Sequence, residues 1–443
     1  MTFEIRFDMS TFLQLLLHVA ISRSSPFKWD TVLDLSYTFC YNESGPYRAD
    51  ALAALSRTKL FIHGMNERQL EAPQYKLSER KVIASAKQLR SANPEQLQLY
   101  TIQNDFTRSI YASGDYFNAH PECMLRDKNG DLVNFTNTQQ QIPECTQPNA
   151  TGGNATCHVY GFNTKCGRDA WVKFAVDTVS NGSLDGVFID GFQGCTPEGG
   201  CGRALATCDE ATSTAWLAGL NETMWQLRAG LDAIEDTALV RANGSSSKTK
   251  KNKTIVCNGT GQMYDCGGRK PCWCDAANKE RFYPNENDLA QVAAAANGTS
   301  WRGGDFWGII HVPHIDAGFA NFNKSLAGFL ATAGGNGAAF GYGWGFQYDC
   351  EGGGWTRDFP ELHKPLGPPA GPPKISNVTK NPTGRGSPTA VFSRRYMSGV
   401  RAFFNSTLHP KDSGSCIEWS DGSRTEAGGG CDQMDAAWAS TGW

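Results

Sequence analysis

A chain of 443 residues exceeds one ordinary core, and with a formal net charge of only −3 it lacks the concentrated basic face that nucleic-acid binding requires. Charged residues make up 19% and aromatics 11%, and the one basic run, Lys248 to Lys253 in SSSKTKKNKT, has the composition of a solvated loop. The expected division is one large and one small domain, with about 250 to 350 residues in the larger.

Near the N-terminus, Thr11 to Ile21 (TFLQLLLHVAI) is apolar but too short to cross a bilayer. Ala20 and Ser22 have the small-residue spacing of a signal-peptidase site, so residues 1–22 read as a secretory signal. Glu4 and Asp8 offset Arg6 in the n-region, and a start at Met9 would remove that problem but leave a short signal. No later segment is apolar enough to anchor, so the mature form is expected to be soluble, with no stable membrane insertion.

The apolar runs expected to form strands are TVLDLSY from Thr31, KLFIHG from Lys59, QLQLYTI from Gln96, GVFID from Gly186, TIVCN from Thr254, FWGIIHV from Phe306 and GAAFGY from Gly337. Helical patterns alternate with them: SERKVIASAKQLRSA from Ser78, RDAWVKFAVDTVS from Arg168 and the stretch Ala211 to Ala238. Such alternation is the signature of βα units around a parallel sheet, and the fold class is α/β, a (β/α)8 TIM-type barrel with a small C-terminal β domain. Seven strands are visible where a barrel needs eight, so one is hidden or the barrel is incomplete. Residues 105–167 form a long loop containing a hairpin, CMLRDKNGDLVNF, with Asn129-Gly130 as a two-residue turn signal.

Composition changes at HKPLGPPAGPPKISNVTKNPTGRGSP, where proline and glycine density excludes a packed element. The boundaries are thus 23–362 for the barrel, 363–390 for a linker or strap, and 391–443 for a small β module of short strands.

Thirteen Asn-X-Ser/Thr triplets, from Asn42 to Asn405, exceed the about three or four expected by chance and point to glycosylation in a eukaryotic secretory route, extracellular or in an endomembrane lumen. Asn258 is expected to be the exception, since it ends an expected buried strand. The 15 cysteines cluster as Cys145, Cys157 and Cys166; as Cys195, Cys201 and Cys208; and as Cys257, Cys266, Cys272 and Cys274. In a secreted chain these are disulfide-stapled loops more often than metal sites. The sharpest zinc candidate, CNGTGQMYDCGGRKPCWC, ends in C-x-C instead of the usual knuckle. Cys416 and Cys431 are expected to pair.

LDGVFIDGF, Leu184 to Phe192, is the most informative segment: a short strand buried on both faces emerges at Asp190. A carboxylate is costly to bury without partners, so an Asp closing such a strand lines a cleft, and in a (β/α)8 barrel that end is the catalytic face. The alternative is a cap or an ion pair. Asp185, on the order of 16 Å earlier along an extended strand, falls at the opposite end and reads, with Gly186, as turn chemistry.

Taken in order, RSANPEQLQLYTIQND, FNAHPECMLRDKNGDLV, LDGVFIDGF, HKPLGPPAG, SRRYMSGVRAFFNSTL and CIEWSDG resemble glycoside-hydrolase barrels with a short C-terminal β domain that belong to no characterised family. The resemblance implies a catalytic (β/α)8 barrel acting on carbohydrate, with an acid after the middle strand. The strand order is also similar to that of alpha-galactosidase barrels, which implies one Asp after the fourth strand and one after the sixth. On a count of seven visible strands these are Asp190 and Asp316, and a hidden strand would shift the assignment.

Glycosidic cleavage needs two carboxyl groups, one to protonate the leaving oxygen and one to attack or activate water. Asp190 is the candidate nucleophile or base, Asp316 its first-choice partner, and Asp105 and Asp265 are rivals. His63, His311 and His314 fall near strand ends, where they could bind hydroxyls or, as three metal ligands, define a phosphodiesterase. Tyr342, Trp344 and Phe346, with Trp273, have the flat faces on which sugar rings stack, although a buried aromatic cluster has the same composition. Asn258 and Tyr37 are further candidate contacts. The leading expectation is a secreted glycoside hydrolase with a carbohydrate substrate and no cofactor. Its rivals are a catalytically inactive glycan-binding barrel and a metal-dependent phosphodiesterase.

Overall fold

The computed structural model describes residues 28–38, 47, 49–64, 78–104, 106–107, 111–133, 157–190, 195–196, 200–201, 209–234, 237–242, 245–250, 253–258, 276–279, 307–313, 322–333, 338–344, 358–379, 389–406 and 414–441. The chain is α/β, with a parallel sheet followed by an antiparallel one. The parallel strands are β1 (Leu33–Thr38), β2 (Leu60–His63), β3 (Leu97–Gln103), β4 (Gly186–Asp190), β5 (Thr254–Asn258), β6 (Ala276–Lys279), β7 (Trp307–Pro313) and β8 (Ala338–Trp344). Each pairs with the next, and β1 pairs with both β2 and β8, so the hydrogen-bonded order closes on itself as a barrel.

All seven expected strands are present, and the eighth is β6. Ala276–Lys279 reads AANK, with no β-branched or aromatic residue, so composition gives it no strand signal. Backbone pairing to β5 on one side and β7 on the other holds it in the sheet. The strand containing His311 is therefore the seventh, and Asp316 follows the seventh strand, not the sixth; the alpha-galactosidase count does not hold for it.

Among the described residues, six α-helices lie between the parallel strands: α1 (Ala49–Leu55), α2 (Ser78–Ala92), α3 (Ala112–Ala119), α4 (Lys165–Gly182), α5 (Glu210–Asp232) and α6 (Phe322–Thr332), the last between β7 and β8. Thr164 caps α4 by accepting from the Gly167 amide, and Asp209 caps α5 by accepting from the Thr212 amide, each satisfying an otherwise orphaned donor. Trp171, Ala175 and Val179 bury one face of α4, with Phe162, Val187 and Phe188 in the same core. Gly186 opens β4 where a Cβ would lie 1.8 Å from the Thr254 carbonyl oxygen, so only glycine lets β4 and β5 approach there.

The expected hairpin forms with a different turn. Arg126 bridges to Leu132, the Gly130 amide donates to the Asp127 carbonyl, and Gly130 takes φ +86°, so Lys128 and Asn129 are the central residues. The Asp127 carboxylate accepts from the Asn129 and Asp131 amides and fixes this geometry. A disulfide from Cys123 to Cys166 ties the excursion to α4. Cys166 thus reaches 43 residues back instead of pairing within its local cluster.

The second sheet is antiparallel, in the order β9 (Lys374–Thr379), β10 (Thr389–Arg395), β11 (Arg401–Asn405), β12 (Ser415–Glu418) and β13 (Arg424–Ala427). Its edge strand β9 lies inside the segment expected to be a linker: Pro372 and Pro373 precede the strand, where their missing N–H groups cost no ladder bond. A final helix, α7 (Gly430–Thr441), also departs from the expected tail of strands and turns. Cys416 and Cys431 pair as expected, joining β12 to α7. α6 packs between the sheets: Phe322, Leu326, Phe329 and Leu330 share one core with Phe340 of β8 and with Phe392, Ala402, Phe404 and Ile417.

Candidate active site at the rim of the parallel strands

Because the eight strands are parallel, their last residues lie at one rim: Thr38, His63, Gln103, Asp190, Asn258, Lys279, Pro313 and Trp344. Asp190 is the one acid among these eight. Its facing follows from strand alternation. Phe61 of β2 packs among Tyr47, Ala51, Leu55 and Leu89, and in β3 the Gln98 amide reaches the Ala86 carbonyl of α2 at 3.2 Å. Gln98, Tyr100 and Ile102 therefore face the helices, and Leu99, Thr101 and Gln103 face the interior of the ring. Register partners share a face, and Phe188 pairs with Thr101 and Asp190 with Gln103. The Asp190 side chain thus stands on the interior face, half-buried, above the fully buried Phe188.

Two hydrogen bonds brace this corner. The Asn104 amide donates to the Asp190 carbonyl at 3.1 Å, and the buried Trp171 indole Nε1 donates to the Gln103 carbonyl at 2.9 Å. α4 thereby fixes the end of β3, and β3 fixes the end of β4, which holds Asp190 on rigid elements.

The other buried acids among the described residues are committed elsewhere. Asp185 and Asp34 stand at or near the opposite ends of their strands, where Asp185 pairs with Arg90 and Asp34 accepts from the Lys59 amide. Burial raises the Glu79 carboxyl above its ordinary range although it accepts from the Ala112 and Ser113 amides, capping α3 in the helix layer. Asp185 is accordingly an ion-paired staple and not merely turn chemistry.

His63 is not at the site expected for it. It lies two residues beyond Phe61 on the helix-facing side of β2, wholly buried, with its ring 4.7 Å from the Phe61 ring and its Nε2 3.1 Å from the Gln98 amide. A histidine on that face cannot share a metal or a sugar with groups inside the ring, so the constellation of His63, His311 and His314 loses a member. His311 is in register with Gly341, Tyr342 with Val312, and Trp344 with Pro313 at a register shift. Asn258 is in register with Asn278, and its strand neighbour Cys257 with Ile189, which puts Asn258 in the row of Asp190. Asp105, Asp265, Trp273, His314, Asp316 and Phe346 lie outside the described residues. Sequence reading passed over Gln103 and Asn104, whose signal is a polar pair closing an apolar strand.

The description Hypothetical glycosyl hydrolase family 15 matches residues 97–400, more than half of the chain, a span that begins with β3 and includes Asp190. The chain belongs to this family. The family is described as one of hypothetical glycosyl hydrolases, in line with the sequence resemblance, and no characterised family is assigned. A search of curated protein sequences finds no match. Solved structures similar to this family member include alpha-L-fucosidase isoenzyme 2 from Paenibacillus thiaminolyticus, at 12% identity and a TM-score of 0.42, covering 75% of this chain and 48% of the fucosidase. The chain thus spans about half of that protein's length. Another is the maltogenic alpha-amylase AmyB from Thermotoga neapolitana, at 11% identity and a TM-score of 0.43, covering 88% of this chain and 86% of the amylase. A third is the glycoside hydrolase domain of PelA from Pseudomonas aeruginosa, at 11% identity and a TM-score of 0.37, covering 69% of this chain and 94% of that domain.

Proposed function

We propose that the chain is a secreted (β/α)8 glycoside hydrolase that cleaves O-glycosidic bonds of an oligo- or polysaccharide through a carboxylate pair, with Asp190 as nucleophile or base. The observation that carries this reading is the position of Asp190 as the sole acid among the eight strand-ending residues, on the interior face of β4. A carboxylate held there by β3 and α4 needs a second acid across a gap of about 5 to 10 Å.

The corrected strand count changes the order of partners. β4 and β6 are separated by β5 alone, which sets their ends about 10 Å apart, and in the chain Glu280 directly follows Lys279, the last residue of β6. Glu280 therefore joins Asp316, Asp105 and Asp265 as a candidate acid. The Asn258, His311 and Trp344 positions on β5, β7 and β8 complete a sugar-binding rim in this reading, whereas Tyr342 falls two residues beyond Phe340, on the face of β8 that meets α6.

Secretion is supported by disulfides, which persist in oxidising compartments: Cys123–Cys166, Cys416–Cys431 and a further bond at Cys157. Asn181 and Asn221, both in glycosylation triplets, are exposed on α4 and α5. Expression through a eukaryotic secretory route, followed by deglycosylation and peptide mass mapping, should find glycans at these two sites.

The function is tested by incubating the purified chain with a panel of oligosaccharides and aryl glycosides and reading sugar release. Release from at least one neutral glycoside, lost in the Asp190→Asn variant, supports the assignment. Sugar binding without turnover across the panel would favour the inactive glycan-binding barrel.

A further inference from the structure

Beside Asp190 the fold keeps three polar side chains buried with atoms that make no hydrogen bond. Thr101 Oγ1 and Gln103 Oε1 are on the interior face of β3, and Asn104, the next residue, has neither its Nδ2 nor its Oδ1 partnered. Thr101 and Asn104 are 0% exposed and Gln103 7%. A buried amide or hydroxyl without a partner costs about 1–3 kcal/mol, so three adjacent ones constitute a standing cost to the fold. Such a cost concentrated at one strand end marks a place where a ligand completes the hydrogen bonds.

The place is specified by the backbone. Gln103 and Asp190 are register partners, and the Asn104 amide is bonded to the Asp190 carbonyl. Gln103 therefore stands beside Asp190 on the neighbouring strand, and Asn104 is tied to it through the backbone one residue further on. Resting on the hydrolase reading, we propose that Gln103 and Asn104 recognise the hydroxyl groups of the sugar unit whose glycosidic bond is broken, and that this unit is neutral.

Neutrality follows from the chemistry of the pair. The Asp190 carboxylate offers only acceptors, and the unpartnered atom of Gln103 is an acceptor standing beside it. Two acceptors side by side suit hydroxyl donors and repel a uronic-acid carboxylate or a sulfate ester. Asn104 adds one donor and one acceptor, which matches a hydroxyl that gives and receives a bond at once.

The test uses near-isosteric apolar replacements, Gln103→Met and Asn104→Leu, in the full chain. Wild type and variants are assayed on 4-nitrophenyl glycosides of glucose, galactose, mannose, fucose and glucuronic acid. The corresponding methyl glycosides are titrated into wild type, the two variants and Asp190→Asn by saturation-transfer NMR. Wild type should act on or bind at least one neutral glycoside and not the glucuronide, and each replacement should weaken that interaction by about tenfold or more. Neither replacement should lower the melting temperature, since each removes an unpartnered buried group; a structural carboxamide would show the reverse.

Binding of a neutral glycoside without turnover, weakened in both replacements, would support the pair while refuting the hydrolase. Turnover or binding unchanged in both replacements would overturn the pair while leaving the hydrolase standing. Preference for the glucuronide, or no binding of any neutral glycoside, would likewise overturn the pair.

Discussion

The guanidinium of Arg90, on α2, closes on the carboxylate of Asp185 at the rim opposite Asp190. The same carboxylate accepts from the Gln98 backbone N–H at 2.8 Å, and the Asp185 carbonyl accepts from the Thr254 backbone N–H at 2.7 Å. One residue therefore ties α2, β3, β4 and β5 together. Removing one partner of a buried pair leaves an uncompensated charge, so Arg90→Ala should destabilise the chain by about 3–5 kcal/mol in denaturant unfolding. Activity of the folded fraction should be unchanged, because the pair stands at the wrong end of β4 to touch substrate.

Asp34 sets a pH dependence of opposite sense to the usual carboxylate. Burial, only partly offset by the hydrogen bond from the Lys59 amide, pushes its carboxyl up from 3.8 to about 6. The folded chain then holds a proton that the unfolded chain has released, so this contribution is full below 3.8 and is lost as pH rises through about 6. Asp34→Asn, which keeps an acceptor for Lys59, should be more stable than wild type at pH 8 by about 2–3 kcal/mol. The difference should vanish near pH 4 in melts taken across that range.

The Cys123–Cys166 bond closes a 43-residue excursion that begins at the start of the hairpin and returns on α4. Restricting the unfolded chain in this way is worth about 2–4 kcal/mol, so a Cys123→Ala, Cys166→Ala variant should melt lower, and reductant should shift wild type in the same direction. Mobility at the end of β3 should rise with it, read by faster amide exchange at Gln103 and Asn104.

The two sheets are held as one unit at Tyr396, whose buried hydroxyl donates to the Leu330 carbonyl of α6 at 2.8 Å. Tyr396→Phe would leave that carbonyl unpartnered in the shared core and should cost about 1–3 kcal/mol in a single cooperative transition. Two separate transitions would show instead that the antiparallel sheet is an independent domain.

The parallel framework was legible because Val187, Phe188 and Ile189, like the other apolar runs, are buried by both the ring interior and the helices. The position of Asp190 at the rim followed directly from that run. β6 was not legible, since AANK depends on pairing from both neighbours and carries no side-chain signal of its own. The facing of His63 was hidden for a related reason: all four residues of β2 are buried, so no alternation of polar and apolar positions reveals which side meets the helices. Gln103 and Asn104 escaped notice because a polar residue after a strand is ordinary in sequence, and only its lack of partners in the fold sets it apart.

The most direct test is the turnover of Asp190→Asn against wild type on a glycoside that the wild type cleaves, with melting temperatures measured in parallel. We predict a loss of kcat of about a thousandfold or more, as removal of a catalytic carboxylate entails, with an unchanged melting temperature. Turnover within a few fold of wild type in a folded Asp190→Asn chain would contradict the placement of catalysis at the end of β4.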